Sequence, residues 1–463
     1  MSQSQFSLLK QRRFAPFFWT QFLTAFNDNV FKNALVILLT YQTVAWMGLN
    51  SNTLVNLAAA LFILPFFLFS ATAGQLADKY EKGRLIVIIK AVEIAIMALA
   101  LWGFVYDHVG ALLGCLFLMG THSTFFGPIK YAILPQHLKT EELVGGNGLV
   151  ETGTFLAILL GTILGGFLIG LTPHGAMYVS ATAIALATLG LLVARLIPKA
   201  APPAPELKLN YNLFSETLST LRLLMANRTV FLSCLGISWF WFFGATFMTQ
   251  LPNYTKEFLG GSSQVVTLVL TIFSIGVGIG SLLCERLSGH RVEIGLVPFG
   301  AIGLTVFGID LYFANPDAAT TLNMGAMQYL QSAGSWRVAL DLFLIGVFGG
   351  FFIVPLFAQV QQRSDPNFRS RIIAGNNILN AIFMVASALI AVALLEGAHF
   401  SIPQLLLVTA ILNALVAIYI FTLVPEFLLR FLCWILICLL YRVRASGLDK
   451  IPDEGPAVLV ANH

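Results

Sequence analysis

The chain has 463 residues, 57% of them hydrophobic and 10% charged, with 39 phenylalanines; an ordinary globular domain carries roughly 25% charged residues. Water cannot be its main solvent, which excludes a soluble enzyme. The net charge of +4 follows from uneven placement of basic residues and asks for no nucleic-acid partner. A hydrocarbon core about 30 Å thick requires about 20 apolar residues per spanning helix, so a chain of this length has room for around a dozen.

The first apolar run, near 15–46, follows Lys10, Arg12 and Arg13 and superficially suggests a signal peptide. It continues without a small-residue cleavage site and reads as a retained first helix. Further helices are predicted near 53–76, 84–106, 110–134, 143–170 and 175–197. The proline-rich, polar stretch PKAAPPAPELKLNYN then reads as a linker. LFSETLSTLRLLM, which follows, has the pattern of an amphipathic helix lying along the membrane surface. Six more runs lie near 229–257, 263–287, 292–314, 338–361, 372–396 and 402–424. The fold class is therefore an all-α membrane protein of twelve transmembrane helices, six plus six. The expected domains are 1–197, 198–228 and 229–425, then an apolar or interfacial helix at 426–444 and a separate segment at 445–463. Cys115, Cys234, Cys284, Cys433 and Cys438 show no metal-ligand spacing and read as packing residues. No metal or cofactor is expected.

Basic side chains are retained on the cytoplasmic side of a membrane. With the N-terminus inside, Lys256 and Arg337 are the outward exceptions among 26 Lys and Arg, and Lys32, Lys90 and Lys130 fall within spans. Both termini are thus expected to be cytoplasmic.

The halves echo one another, as expected of a transporter built from repeats that move about a central site. GQLADKYEKGRL after helix 2 is matched by GSLLCERLSGHRVEIGL after helix 8, and GPIKYAILPQHLKTEELVGGNGL by VPLFAQVQQRSDPNFRSRIIAGNNIL. The first of these loops resembles the cytoplasmic signature of the major facilitator superfamily. That resemblance implies two six-helix bundles around a central cavity with alternating access. It marks Gly74, Asp78, Lys79 and Arg84 as gating residues, with Glu285 and Arg286 in the degenerate copy. Glycines there let helices 2 and 11 approach closely, and Asp78 can receive a helix N-terminus or a basic partner that must separate on opening. The alternative is a solvated loop whose charges only set topology.

Helix 1 carries QFLTAFNDNVFKNALV, in which Asp28 and Lys32 share a face, flanked by Gln21, Asn27, Asn29 and Asn33. Ionisable groups inside a span are costly unless paired or wet, which marks them as functional candidates; the bland alternative is an internal salt bridge. In helix 4, Gly127-Pro128 is expected to break or bend the helix near Lys130, whose ammonium can then meet a phosphate or snorkel to the interface. His122 reads as a packing residue, Glu151 completes the polar inventory of helix 5, and Lys90 and Glu93, three apart, can satisfy each other. Gly153, Ala157, Gly161 and Gly165 form a small-residue stripe for close helix packing. In the second half Lys256, Glu257, Glu285, Arg286, Asp310, Arg337, Asp341 and Glu396 all lie at expected ends or loops. One polar and one oily half suit an amphiphile, with its head group near Asp28, Lys130 and Glu151 and its tail against WFWFFGATF of helix 7.

FLTAFNDNVFKNAL, STFFGPIKYAILPQHL and ELVGGNGLVETGTF are similar to the bacterial lysophospholipid transporter family, and the likeness covers roughly residues 10–425. It implies a flippase carrying lysophosphatidylethanolamine and lysophosphatidylglycerol from the outer to the inner leaflet of a bacterial inner membrane for reacylation. It carries Asp28, Asn29, Lys32 and Lys130 over as cavity residues. A monomer in the lipid bilayer is expected. The segment ASGLDKIPDEGPAVLVANH resembles the opening of a glycerophospholipid acyltransferase domain, whose motif is Asn-His-(x)4-Asp. In that chemistry His463 is the general base. The aspartate is not in the sequence, so the expectation is a transporter without acyltransferase activity, cut from a bifunctional parent whose next domain reacylates the delivered lysolipid.

Overall fold

The computed structural model describes residues 4–41, 51–171, 173–288, 292, 295–314, 323–332 and 334–423. The end of the first apolar run, Cys433 and Cys438, the 426–444 helix and the acyltransferase-like segment with His463 lie outside the described residues. Twelve long helices follow in order: α1 Ala15–Tyr41, α2 Ser51–Lys79, α3 Lys82–Val105, α4 Val109–Ala132, α5 Leu143–Ile169, α6 Gly175–Ala194, α7 Arg228–Glu257, α8 Ser263–Leu287, α9 Leu296–Phe313, α10 Ser335–Arg363, α11 Arg369–Val392 and α12 Ile402–Leu423. In lipid a helix satisfies its own backbone groups, so each apolar run becomes a helix rather than a strand.

Eleven described helices are long and apolar enough to cross a membrane. At 27 residues α1 is as long as the others. It falls outside that set because Gln21, Thr24, Asn27, Asp28, Asn29, Lys32 and Asn33 interrupt its apolar sequence. Such a helix is stable in a membrane only if its polar face meets protein or water.

The chain divides into two compact units, Met1–Leu415 and Val416–His463; every contact described below lies in the first. In the first half α1 packs on α5 and α6, α2 on α4, and α3 on α4 and α6; in the second, α10 packs on α8 and α9, and α7 on α11. The halves meet through α5 against α8 and α2 against α11. Backbone-to-backbone approach explains the glycine stripe of α5. A Cβ at Gly161 would lie 2.7 Å from the Phe26 carbonyl oxygen of α1, and one at Gly165 would fall on the carbonyl of Val30.

One local feature differs from the sequence reading. The helix containing Gly127-Pro128 does not break there: α4 runs through to Ala132. Proline removes one backbone donor, but its neighbours' hydrogen bonds persist and the helix ends a turn later. The linker helix Leu213–Ala226 starts at an Asn212 cap whose side chain accepts from Ser215 N. It turns Glu216, Thr220 and Leu224 inward and leaves Phe214, Leu218 and Met225 exposed. Its inward face rests on α2 and α11.

Candidate functional site

The polar face of α1 meets α4 and α5. Ser123 Oγ donates to Asp28 Oδ2 at 2.6 Å, leaving Oδ1 without a hydrogen-bond partner among the described residues. Lys32 shares a face with Asp28 but makes no ion pair with it among the described residues. Its ammonium instead lies 5.5 Å from the centre of the Phe62 ring of α2, a cation–π contact. Asn29 donates back to the Ala25 carbonyl, and Asn33 donates to Thr162 Oγ1 of α5 at 3.0 Å. Seven residues from Asp28, about 10 Å along the helix, is a second polar group. There Lys130 Nζ donates to Thr154 Oγ1 at 2.8 Å, and Thr154 Oγ1 lies 3.2 Å from Gln21 Oε1. Lys130 thus points inward rather than snorkelling to an interface. Beside it the Tyr131 hydroxyl donates to Glu151 Oε1 at 2.6 Å, and the Tyr131 ring stacks on Phe357 of α10, centroids 4.0 Å apart.

Among the described residues, Asp28 Oδ1, Glu151 Oε2 and Gln21 Nε2 are buried with no hydrogen-bond partner. Lys32 and Lys130, by contrast, are half-buried. Buried polar atoms are nearly always satisfied, so these unspent oxygens, with the half-buried ammonium groups, single this face out as the candidate site. Towards the end remote from Asp78, α5 and α8 part around a cavity of about 430 Å³ lined by Ile37, Leu159, Thr162, Met248, Val266 and Ser274.

At the other end the halves touch. Asp78 is fully buried at the N-terminus of α11. Its Oδ1 accepts from Ser370 N at 3.0 Å, and its Oδ2 accepts from Arg371 N and Nε at 3.3 Å each. A carboxylate is favoured there by the helix dipole. Gly74, one turn earlier, lets α2 lie on α11: a Cβ would come 2.7 Å from Ala374 Cβ. Lys79 and Arg84 make no ion pair with Asp78 among the described residues. Lys79 sits over the Tyr80 ring, and the Arg84 amide donates to Glu81, which caps α3. In the second half Glu285 of α8 accepts from Gln5 N at 3.1 Å and lies against Gly145 near the start of α5, while Arg286 is exposed. Between the two, Asn147 of α5 and Gln361 of α10 exchange amide hydrogen bonds of 2.7 and 3.0 Å.

Residues 17–334 match the sequence model of the Major Facilitator Superfamily. The chain belongs to the Major Facilitator Superfamily. Solved structures agree in fold. The human organic anion transporter MFSD10 (TETRAN) superposes with a TM-score of 0.68 at 14% identity, covering 88% of this chain and 98% of that one. The Escherichia coli fucose:proton symporter FucP gives a TM-score of 0.65 at 14% identity, covering 88% and 97%. Among curated proteins, the lysophospholipid transporter LplT of Citrobacter koseri is 30% identical over 389 residues, 81% of this chain and 87% of that protein.

In this superfamily member the aromatic block of α7 divides. Phe240, Phe242, Phe243 and Phe247 are buried, with Phe243 stacked on Phe247 and Trp239 Nε1 donating to Asn413 Oδ1 of α12. Trp241, Gly244, Ala245 and Met248 form a half-buried stripe. Sequence reasoning passed over Ser123, Thr154, Tyr131 and the Asn147–Gln361 pair. The first and third stand inside the stretch from Ser123 to Leu138, but nothing in a single helix reveals which face meets another helix.

Proposed function

We propose that the protein is a lysophospholipid flippase that works by alternating access between bundles 1–197 and 229–425, joined by the linker 198–228. The observation that carries this reading is the α1 face: a carboxylate with an unspent oxygen, Asp28, and two half-buried ammonium groups, Lys32 and Lys130, in a half facing apolar helices. A lysophospholipid head group presents a phosphate to the lysines and, when it is ethanolamine, an ammonium to Asp28. Asn29 and Glu151 belong to the same binding face, and the single tail lies along the open stripe of α7. The likeness to the Citrobacter koseri lysophospholipid transporter supports the same cargo.

The distribution of Lys and Arg supports a bacterial inner-membrane orientation with both termini, and hence the Asp78 end, cytoplasmic. Gly74, Asp78, Lys79, Arg84, Glu285 and Arg286 then form the inner gate, and cargo moves from the outer to the inner leaflet. Residues 445–463 read as the start of an acyltransferase domain with His463 as its general base, which places reacylation next to delivery. The transporter acts as a monomer and without a cofactor.

The test is flipping of labelled lysophosphatidylethanolamine in liposomes containing the purified protein. Asp28→Asn and Lys130→Gln are each expected to slow it about tenfold, the scale of one lost charge-assisted hydrogen bond. Rates unchanged in both variants refute the assigned site. Flipping abolished by collapse of a proton gradient favours instead a proton-coupled exporter.

A further inference from the structure

A second charged group lies next to the binding face without belonging to it. Glu93 of α3 accepts from Asn27 Nδ2 at 2.6 Å through Oε1, and its Oε2 is ion-paired with Lys90 and lies 3.1 Å from His122 Nε2 of α4. Lys90 also donates to Thr24 Oγ1 of α1 at 3.2 Å. The side chains of Lys90, Glu93 and His122 are wholly inaccessible. On α6 the chain has glycine at 190, where a Cβ would come 2.7 Å from Lys90 Nζ.

The placement is specific. Asn27 immediately precedes Asp28, and His122 immediately precedes Ser123, the residue that donates to Asp28. One carboxylate therefore touches the neighbour of each member of the Asp28–Ser123 pair and fixes α1 against α4 from α3. A buried ion pair is a poor source of net stability, because desolvation cancels most of its Coulomb energy, but it is sensitive to register and can select one arrangement of helices. Inside a membrane, apolar packing alone distinguishes weakly between helix rotations, since lipid tails are as apolar as leucine. A rotation of α1 that turned Asp28 away from Ser123 would also take Asn27 off Glu93 and leave buried charge undersatisfied.

We propose that Glu93, neutralised by Lys90, is a positioning residue. It sets the rotation of α1 against α4 so that Ser123 holds one oxygen of Asp28 and the other stays free for the cargo head group. This inference rests on the reading of Asp28 as a head-group contact, and it adds a group that never meets the cargo. His122 is part of the same device.

The test uses the full chain in liposomes with labelled lysophosphatidylethanolamine, together with the infrared carboxylate band of Asp28, identified as the band that Asp28→Asn removes. Asn27→Ala and Ser123→Ala leave the Lys90–Glu93 pair intact; Glu93→Gln does not. In Asn27→Ala and Glu93→Gln, KM is expected to rise about fivefold while the maximal rate holds within about twofold, the scale of one interhelical hydrogen bond in a membrane. The Asp28 band is expected to shift in both, and in Ser123→Ala. If Glu93→Gln does not fold, Asn27→Ala and Ser123→Ala decide the question. An unmoved band with unchanged KM, or a fall in maximal rate alone with the band unmoved, overturns the proposal. If Asp28→Asn itself transports normally, the head-group reading fails instead, and the two failures are told apart by that one variant.

Discussion

Replacing Asp78 with asparagine is expected to loosen the contact between α2 and α11. The buried carboxylate accepts hydrogen bonds from Ser370 N, Arg371 N and Arg371 Nε, at 3.0, 3.3 and 3.3 Å. A negative charge at a helix N-terminus contributes about 0.3–1 kcal/mol when exposed and up to about 2 when partly buried. The asparagine oxygen still accepts from one backbone amide, but the charge and the guanidinium contact are lost. The net loss is about 2 kcal/mol, which changes the ratio of touching to parted arrangements about thirtyfold. Spin labels at Tyr80 and Asn367, both exposed, report this ratio by double electron–electron resonance in nanodiscs. The variant is expected to populate a longer distance that is minor in the wild-type protein. An unchanged distance distribution refutes the reasoning, because it means that the glycine-lined contact alone holds the two helices.

The stripe of α5 makes a steric prediction. Gly165→Leu forces side-chain atoms onto the Val30 backbone and is expected to cost about 1–3 kcal/mol, lowering the thermal midpoint in detergent. Gly114→Ala, with nothing within 4 Å of the new Cβ, is expected to be neutral in the same assay. The linker helix makes a pH prediction. Burial raises the pKa of Glu216 above the ordinary carboxylate value, against the lowering influence of Arg371. A carboxylate whose folded value lies above its unfolded one contributes most stability at low pH and loses it as pH rises through the folded value. Glu216→Gln is therefore expected to melt above the wild-type protein at neutral pH, with the gap closing as the medium is acidified. A gap that widens on acidification reverses the sign and refutes it.

The fold was legible because lipid leaves few options for a run of 20 apolar residues, so of the twelve helices all but the polar-interrupted α1 could be read from apolar content alone. Their ends were less so. α2 runs to Lys79, past the apolar run, because partners from elsewhere satisfy its polar last turn: Gln75 exchanges hydrogen bonds with the Asn210 backbone, and Asp78 meets α11. At the site, Asp28 stood out as a charge that lipid does not tolerate unaided. Its partner did not, since a helix pattern relates residues three and four apart and says nothing of which helix lies opposite. Hence a salt bridge between Asp28 and Lys32 stood open as the alternative, while the structure gives Asp28 to Ser123 and Lys32 to Phe62. Lys90 and Glu93 do satisfy each other, but the reach of Glu93 to Asn27 and His122 spans three helices and was invisible in any one of them.

The repeated acidic motif acquires a physical meaning from its two positions. Asp78 of α2 reaches across to the start of α11, and Glu285 of α8 reaches across to the start of α5 and to Gln5. Each half thus lends a carboxylate to a helix of the other, and neither clamp can part without displacing both halves. The surfaces beside the clamps carry small residues. Gly74 faces Ala374, and a Cβ at Gly148 would fall on the Ser281 carbonyl, so at these points one helix lies directly on the other. Interlocked side chains would have to withdraw through one another before the halves could separate, whereas small residues slide or lift apart directly. Polar groups add to this contact, the two carboxylates and the Asn147–Gln361 pair, beside the stacking of Tyr131 on Phe357. A contact meant only to hold a fold together would gain more from interdigitated leucines than from glycines and buried charge.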